Sequence, residues 1–98
     1  MVDDKRTTTR EIDVTFTASI VADSNSGWPC VQMSGSADFF GTGKAVKVAG
    51  TVDGHAYEAT MLPVGGGTHM MPLRAPFRKI IGKDLGDEVT VHLRRRFS

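Results

Sequence analysis

A two-residue turn does most to limit what this chain can fold into. Val46, Val48 and Val52 keep a period-two spacing up to Asp53-Gly54, and Tyr57, Ala59 and Met61 resume it on the far side. Apolar residues two apart share one face of a strand, and an Asp-Gly pair supplies the positive φ angles of a type I′ turn. Residues 46–61 therefore read as a β-hairpin with one buried face, and every other segment has to complete a sheet around it.

The flanking segments follow the same period. Ile12, Val14, Phe16, Ala18 and Ile20 alternate with Asp13, Thr15, Thr17 and Ser19 in a first strand, which ends at the turn formers Ala22-Asp23-Ser24-Asn25-Ser26-Gly27. Val89, Val91 and Leu93 alternate with Thr90, His92 and Arg94 in a last one. Cys30–Met33 reads as a short strand, with Pro29 confined to its start because proline has no backbone donor. Ser34–Gly43 reads as a connection anchored by Phe39-Phe40. The second hairpin arm ends at Pro63, Gly65-Gly66-Gly67 is a loop, and Thr68–Leu73 is extended. Ala75–Gly82 has proline near its first position, apolar residues at helical spacing and glycine just past its end, the pattern of a two-turn helix. Residues 1–10 bury almost nothing and read as a flexible lead-in, which leaves 11–98 as a single domain. Five or six strands this short escape open edges by curling, so the expected fold is mainly β: a small closed barrel with one short helix before the last strand.

Composition narrows the class further. At 98 residues, with 40% hydrophobic and 23% charged residues and a formal net charge of +1, the chain can build one core; disorder and wholesale polyanion binding are disfavoured. Cys30 is the lone cysteine, so there is no internal disulfide, and neither a secretory start nor an apolar run of membrane-spanning length is visible. The expectation is a cytoplasmic protein without a membrane segment.

Candidate chemistry is sparse. Gly41-Thr42-Gly43-Lys44 falls short of a phosphate-binding loop, which needs four residues between its glycines and a Ser or Thr after the lysine, where Ala45 stands. His55, His69 and His92 lack the spacing of local metal ligands, so no metal or cofactor is expected. Cys30 with a histidine as base would be the pair for an enzyme, yet a lone strand cysteine is more often a small buried apolar residue, and the reading leans away from catalysis. Trp28, Tyr57, His69 and Arg74 carry the ligand-binding expectation, because a small barrel lines its mouth with aromatic rings and a few polar groups for a small molecule or peptide. Charge is uneven: residues 1–73 hold five Lys and Arg against eight Asp and Glu, and residues 74–98 hold seven against three. Arg94, Arg95 and Arg96 therefore carry the alternative, contact with nucleic acid.

Trp28-Pro29-Cys30-Val31, then Val46 through Gly54, the glycine run before His69, and Gly86-Asp87-Glu88-Val89-Thr90-Val91 together resemble the small bacterial family DUF1905, a domain of unknown function. The likeness covers about residues 12–93. It implies a compact barrel similar to the double-split barrels of transition-state regulators and antitoxins, with the helix late in the chain; members are sometimes joined to a bacteriocin-protection domain. Similar proteins often run from the last strand into an acidic tail, where this chain has Leu93-Arg94-Arg95-Arg96-Phe97-Ser98. The expected function is a non-catalytic binding module for a small molecule or peptide; the alternative is a nucleic-acid-binding or regulatory homodimer, and a small Cys30 enzyme comes last.

Overall fold

The computed structural model describes residues 9–97. They form β1 (Arg10–Ser19), β2 (Val21–Ala22), β3 (Pro29–Met33), α1 (Ser36–Phe40), β4 (Val46–Val52), β5 (His55–Gly65), β6 (Thr68–Pro72), α2 (Ala75–Ile81) and β7 (Glu88–Arg96). The strands pair antiparallel in one curled sheet, a half-barrel with the order β1-β7-β4-β5-β6-β3-β2. The two end strands are neighbours in sequence. β1 pairs with β7, the chain bends at the buried Ile20, and β2 then pairs with β3. Backbone bonds from Ile20 N–H to the Asp87 carbonyl (2.9 Å) and from Gly86 N–H to the Ile20 carbonyl (2.8 Å) hold that bend against the turn before β7.

The hairpin is as expected: β4 and β5 pair from Val46↔Met61 to Val52↔His55, and Asp53 and Gly54 take φ of 51° and 84°. Val46, Val48, Val52, Tyr57, Ala59 and Met61 all face the core, beside Val89, Val91 and Leu93 from β7 and Val31, Met71 and Leu73 from the other half of the sheet. α2 lies where its sequence signals put it, closed by Gly82 in the left-handed conformation. Phe77 is its buried anchor, 4.2 Å from the Tyr57 ring centre.

Four expectations need correction. There are seven strands rather than five or six, because the two residues after the bend at Ile20 make a strand of their own. Arg10, assigned to the lead-in, already pairs with Arg96 inside β1; residues 1–8 lie outside the described residues. β5 continues past Pro63 to Gly65, because Pro63 still sits opposite His69 of β6. The Ser34–Gly43 connection contains a second helix, α1: five residues are too few to show a period, and tertiary contacts hold it. Phe40 is buried as anticipated, while Phe39 is exposed.

Asp53 does more than form a turn. Its carboxylate accepts hydrogen bonds from Lys83 Nζ (2.8 Å) and from the Thr90 backbone N–H (2.8 Å), tying the hairpin tip to the turn that enters β7. The Lys83 bond first, then the Thr90 bond, hold the carboxyl below its ordinary value of 3.8. A depressed carboxylate stabilises the fold fully above the unfolded value and loses that effect as pH falls through the lower folded one. Asp53→Asn keeps a good turn residue and removes the charge. Urea denaturation at pH 7 should show a loss of about 1–2 kcal/mol. The gap to the wild type should narrow below pH 3.8; an equal gap at pH 7 and at pH 2.5 would contradict the assignment.

Candidate binding cleft

The four residues expected to share a ligand site are divided by the fold. Tyr57 and Arg74 meet: the Arg74 guanidinium lies 4.6 Å from the Tyr57 ring centre, and the Tyr57 hydroxyl donates to the Pro72 carbonyl (2.7 Å) and accepts from the Arg74 N–H (3.0 Å). Arg74 Nη2 also donates to the Glu58 carbonyl (2.9 Å), capping an edge of β5 that β6 leaves unpaired. Trp28 stands half exposed in the loop before β3. His69 is fully buried and points into the protein rather than toward solvent.

The His69 environment fixes its proton. Nε2 sits 2.8 Å from the Lys44 carbonyl, which can only accept, so Nε2 carries the hydrogen. Nδ1 is 2.7 Å from Ser36 Oγ and, in the neutral ring, accepts from it. Ser36 Oγ in turn accepts from the His69 backbone N–H (2.6 Å). The pair has the distance of a nucleophile and its base, yet Ser36 and His69 both have no exposed surface. Its work is to fasten α1 to β6, helped by Phe40, whose ring meets the His69 ring edge-on at 5.5 Å. The Lys44 carbonyl that serves His69 belongs to the glycine-flanked loop whose phosphate-binding spacing fails.

Cys30 is buried between its cross-strand neighbours Val21 and Pro72. Burial first, and the nearby Asp23 carboxylate second, push its thiol upward, away from the thiolate that a nucleophile requires. Among the described residues no group of three or more His, Cys, Asp or Glu side chains is placed to hold a metal ion.

The three C-terminal arginines separate as well. Arg96 is buried: Nη1 donates to the Phe40 carbonyl (2.7 Å), and its guanidinium lies 5.3 Å from the Phe40 ring centre. Desolvation first, and the Arg10 charge second, lower its basicity. Leu93 also faces the core, and residues three apart cannot both point inward in a regular strand. β7 resolves the mismatch with a bulge. Leu93 and Arg95 sit opposite the consecutive residues Gly50 and Ala49, so Arg94 is extra, and Arg94 and Arg95 both emerge on the outer face. Gly50 makes this geometry possible, because a Cβ built there would lie 2.0 Å from the His92 carbonyl oxygen.

The same positions open a cleft of about 670 Å³ on the outer face of β1, β7, β4 and β5. Ala49, Gly50 and Ala56 give it a low floor. Arg94, Arg95 and His92 stand along one side and Glu58 on the other. Asp13 Oδ1 bonds His92 Nε2 at 2.7 Å, and Glu11 sits opposite Arg95 in register. Among the described residues, no ion pair or hydrogen bond engages the side chains of Arg94, Arg95 or Glu58. Gly50, His92, Asp13 and Glu58 were absent from the sequence-based site. The available signal was Gly50 itself, since a glycine inside a valine-rich strand marks a bulge or a close backbone approach.

The DUF1905 family model, a domain of unknown function, matches residues 16–93. The chain belongs to this family. The matched segment contains Gly50, Glu58 and His92, and it ends just before Arg94, so the two outward arginines lie beyond the family match. No curated protein matches the chain.

Proposed function

We propose that the chain is a non-catalytic binding module that receives a small molecule or short peptide in the outer-face cleft. One observation carries the reading: the β7 bulge turns Arg94 and Arg95 out on the same side, above a floor of small residues, and among the described residues no ion pair or hydrogen bond engages either guanidinium. Clefts of several hundred Å³ with a few convergent polar groups are the usual form of small-ligand sites. Tyr57 lines the same cleft, with the Arg74 guanidinium over its ring, which supports a site on this side of the sheet. The buried Cys30 and the enclosed Ser36–His69 pair favour binding over catalysis.

Nucleic acid fits less well, because Arg96 is withdrawn into the core and Glu11, Asp13 and Glu58 share the cleft with the remaining arginines. For the fold, the reading is of a barrel whose seam is bridged by the chain itself at Ile20, in keeping with the double-split architecture that the family resemblance implies.

Two-dimensional amide NMR against a metabolite and dipeptide library tests the function. Binders should shift residues 49, 56, 58, 92, 94 and 95 together. Shifts confined to Trp28 and its loop, or none from any compound, would overturn it.

A further inference from the structure

We infer that the cleft selects a zwitterion of dipeptide size, its carboxylate on Arg94 and Arg95 and its ammonium at Glu58; this rests on the binding reading above. The register places the charges. Glu58 on β5 is opposite Ala49 on β4, Ala49 is opposite Arg95 on β7, and Arg95 is opposite Glu11 on β1. One row across the outer face therefore reads acid, small residue, base, acid. Two strand spacings separate Glu58 from Arg95, about 9–10 Å between backbones, and the small residue between them is what leaves the space open. An extended dipeptide spans about 7 Å, which suits two long side chains reaching inward from that separation.

The signs are equally specific. Asp13 and His92 satisfy one another, so the charges that face a ligand across the floor are the two guanidiniums of Arg94 and Arg95 on β7 and the Glu58 carboxylate on β5, with the Glu11 carboxylate behind Arg95 on β1. Arginine offers paired donors that match a carboxylate, and Glu58 accepts from an ammonium. A simple anion would meet Glu58 and Glu11 as repulsive neighbours, and a simple cation would meet the arginines. A molecule carrying both charges meets neither penalty. Glu11, beside Arg95, is the internal competitor for the same guanidinium.

Titration followed by amide NMR decides the matter, with L-alanyl-L-alanine as the probe and its N-acetyl and C-amide derivatives, acetate and inorganic phosphate as comparisons. The free dipeptide should bind at least about tenfold more tightly than either blocked form, since each block removes one charge-assisted contact. Glu58→Gln should abolish the advantage over the N-acetyl form alone. Arg94→Gln/Arg95→Gln should abolish the advantage over the C-amide alone. All three positions are exposed, so their replacement leaves the core intact. Equal binding of acetate, phosphate and dipeptide at the cleft would overturn the zwitterion assignment while leaving the binding module standing. Failure of the dipeptide to shift any cleft residue at 50 mM would overturn it too, and library compounds that do shift those residues would still support the module.

Discussion

Replacing Gly50 with alanine is expected to cost the fold about 3–4 kcal/mol, an exceptional loss for one methyl group in a position that is not fully buried. The new Cβ would lie 2.0 Å from the His92 carbonyl oxygen and 2.9 Å from both the His92 carbonyl carbon and Leu93 Cα. All three are main-chain atoms of the neighbouring strand, so no side chain can swing aside. The only relief is to push β4 and β7 apart inside the sheet, where β7 also carries its pairing to β1. Gly43→Ala is the control, because a Cβ there meets nothing within 4 Å and should change stability by less than about 0.5 kcal/mol. Thermal denaturation reads the contrast: for a domain of this length each kcal/mol moves the midpoint by about 4–8 °C. Similar midpoints for the two variants would show that β4 and β7 do not approach as described. Any folded fraction of Gly50→Ala should show displaced amide signals at Arg94 and Arg95, since the close approach and the bulge are one feature.

The contrast between the hairpin and the bulge shows what was legible beforehand. Val46 to Met61 could be read directly because its period, its turn residues and its pairing all lie within sixteen consecutive positions. α2 was legible for the same reason, having its proline start and glycine stop six residues apart. The bulge depends instead on a contact across the chain. Arg96 is drawn inward by the Phe40 carbonyl, fifty-six positions away, and Leu93 is drawn inward by the core. Period-two reading of Val89, Val91 and Leu93 would place Arg95 inside and Arg96 outside, the reverse of what occurs. The cleft inherits that difficulty. Arg94 and Arg95 were visible as a basic run, but their shared direction, and their distance from the third arginine, follow from tertiary anchoring. Tyr57 and Arg74 do meet, because Arg74 follows β6 directly and its guanidinium folds back over the ring. His69, expected as a polar group at the barrel mouth, is buried instead, and its partners Ser36 and Lys44 sit thirty-three and twenty-five positions away, beyond any local pattern.

His69→Leu is expected to cost about 2–4 kcal/mol, and Ser36→Ala a similar amount, although neither residue touches the cleft. Leucine at position 69 would leave the Lys44 carbonyl without its donor in a buried place and would remove the edge-on ring contact with Phe40. The Ser36 hydroxyl could turn toward the Gly67 carbonyl, 3.5 Å away, a long bond that recovers only part of the loss. Alanine at position 36 would orphan two groups at once, the His69 backbone N–H and Nδ1. Because the two side chains share bonds, their losses should not add: the double variant should fall short of the summed single costs by about 1 kcal/mol or more. Urea denaturation measures this, with lower midpoints and unchanged slopes indicating lost stability rather than a changed compactness. Strict additivity would mean that the pair does not act as a unit. The consequence reaches β7 through α1. His69 and Ser36 hold α1, the Phe40 carbonyl of α1 holds Arg96, and Arg96 sets the phase that turns Arg94 and Arg95 outward. His69→Leu should therefore broaden or shift the Arg94 and Arg95 amide signals even under conditions where the protein stays folded, whereas signals at the β4–β5 turn should stay where they are.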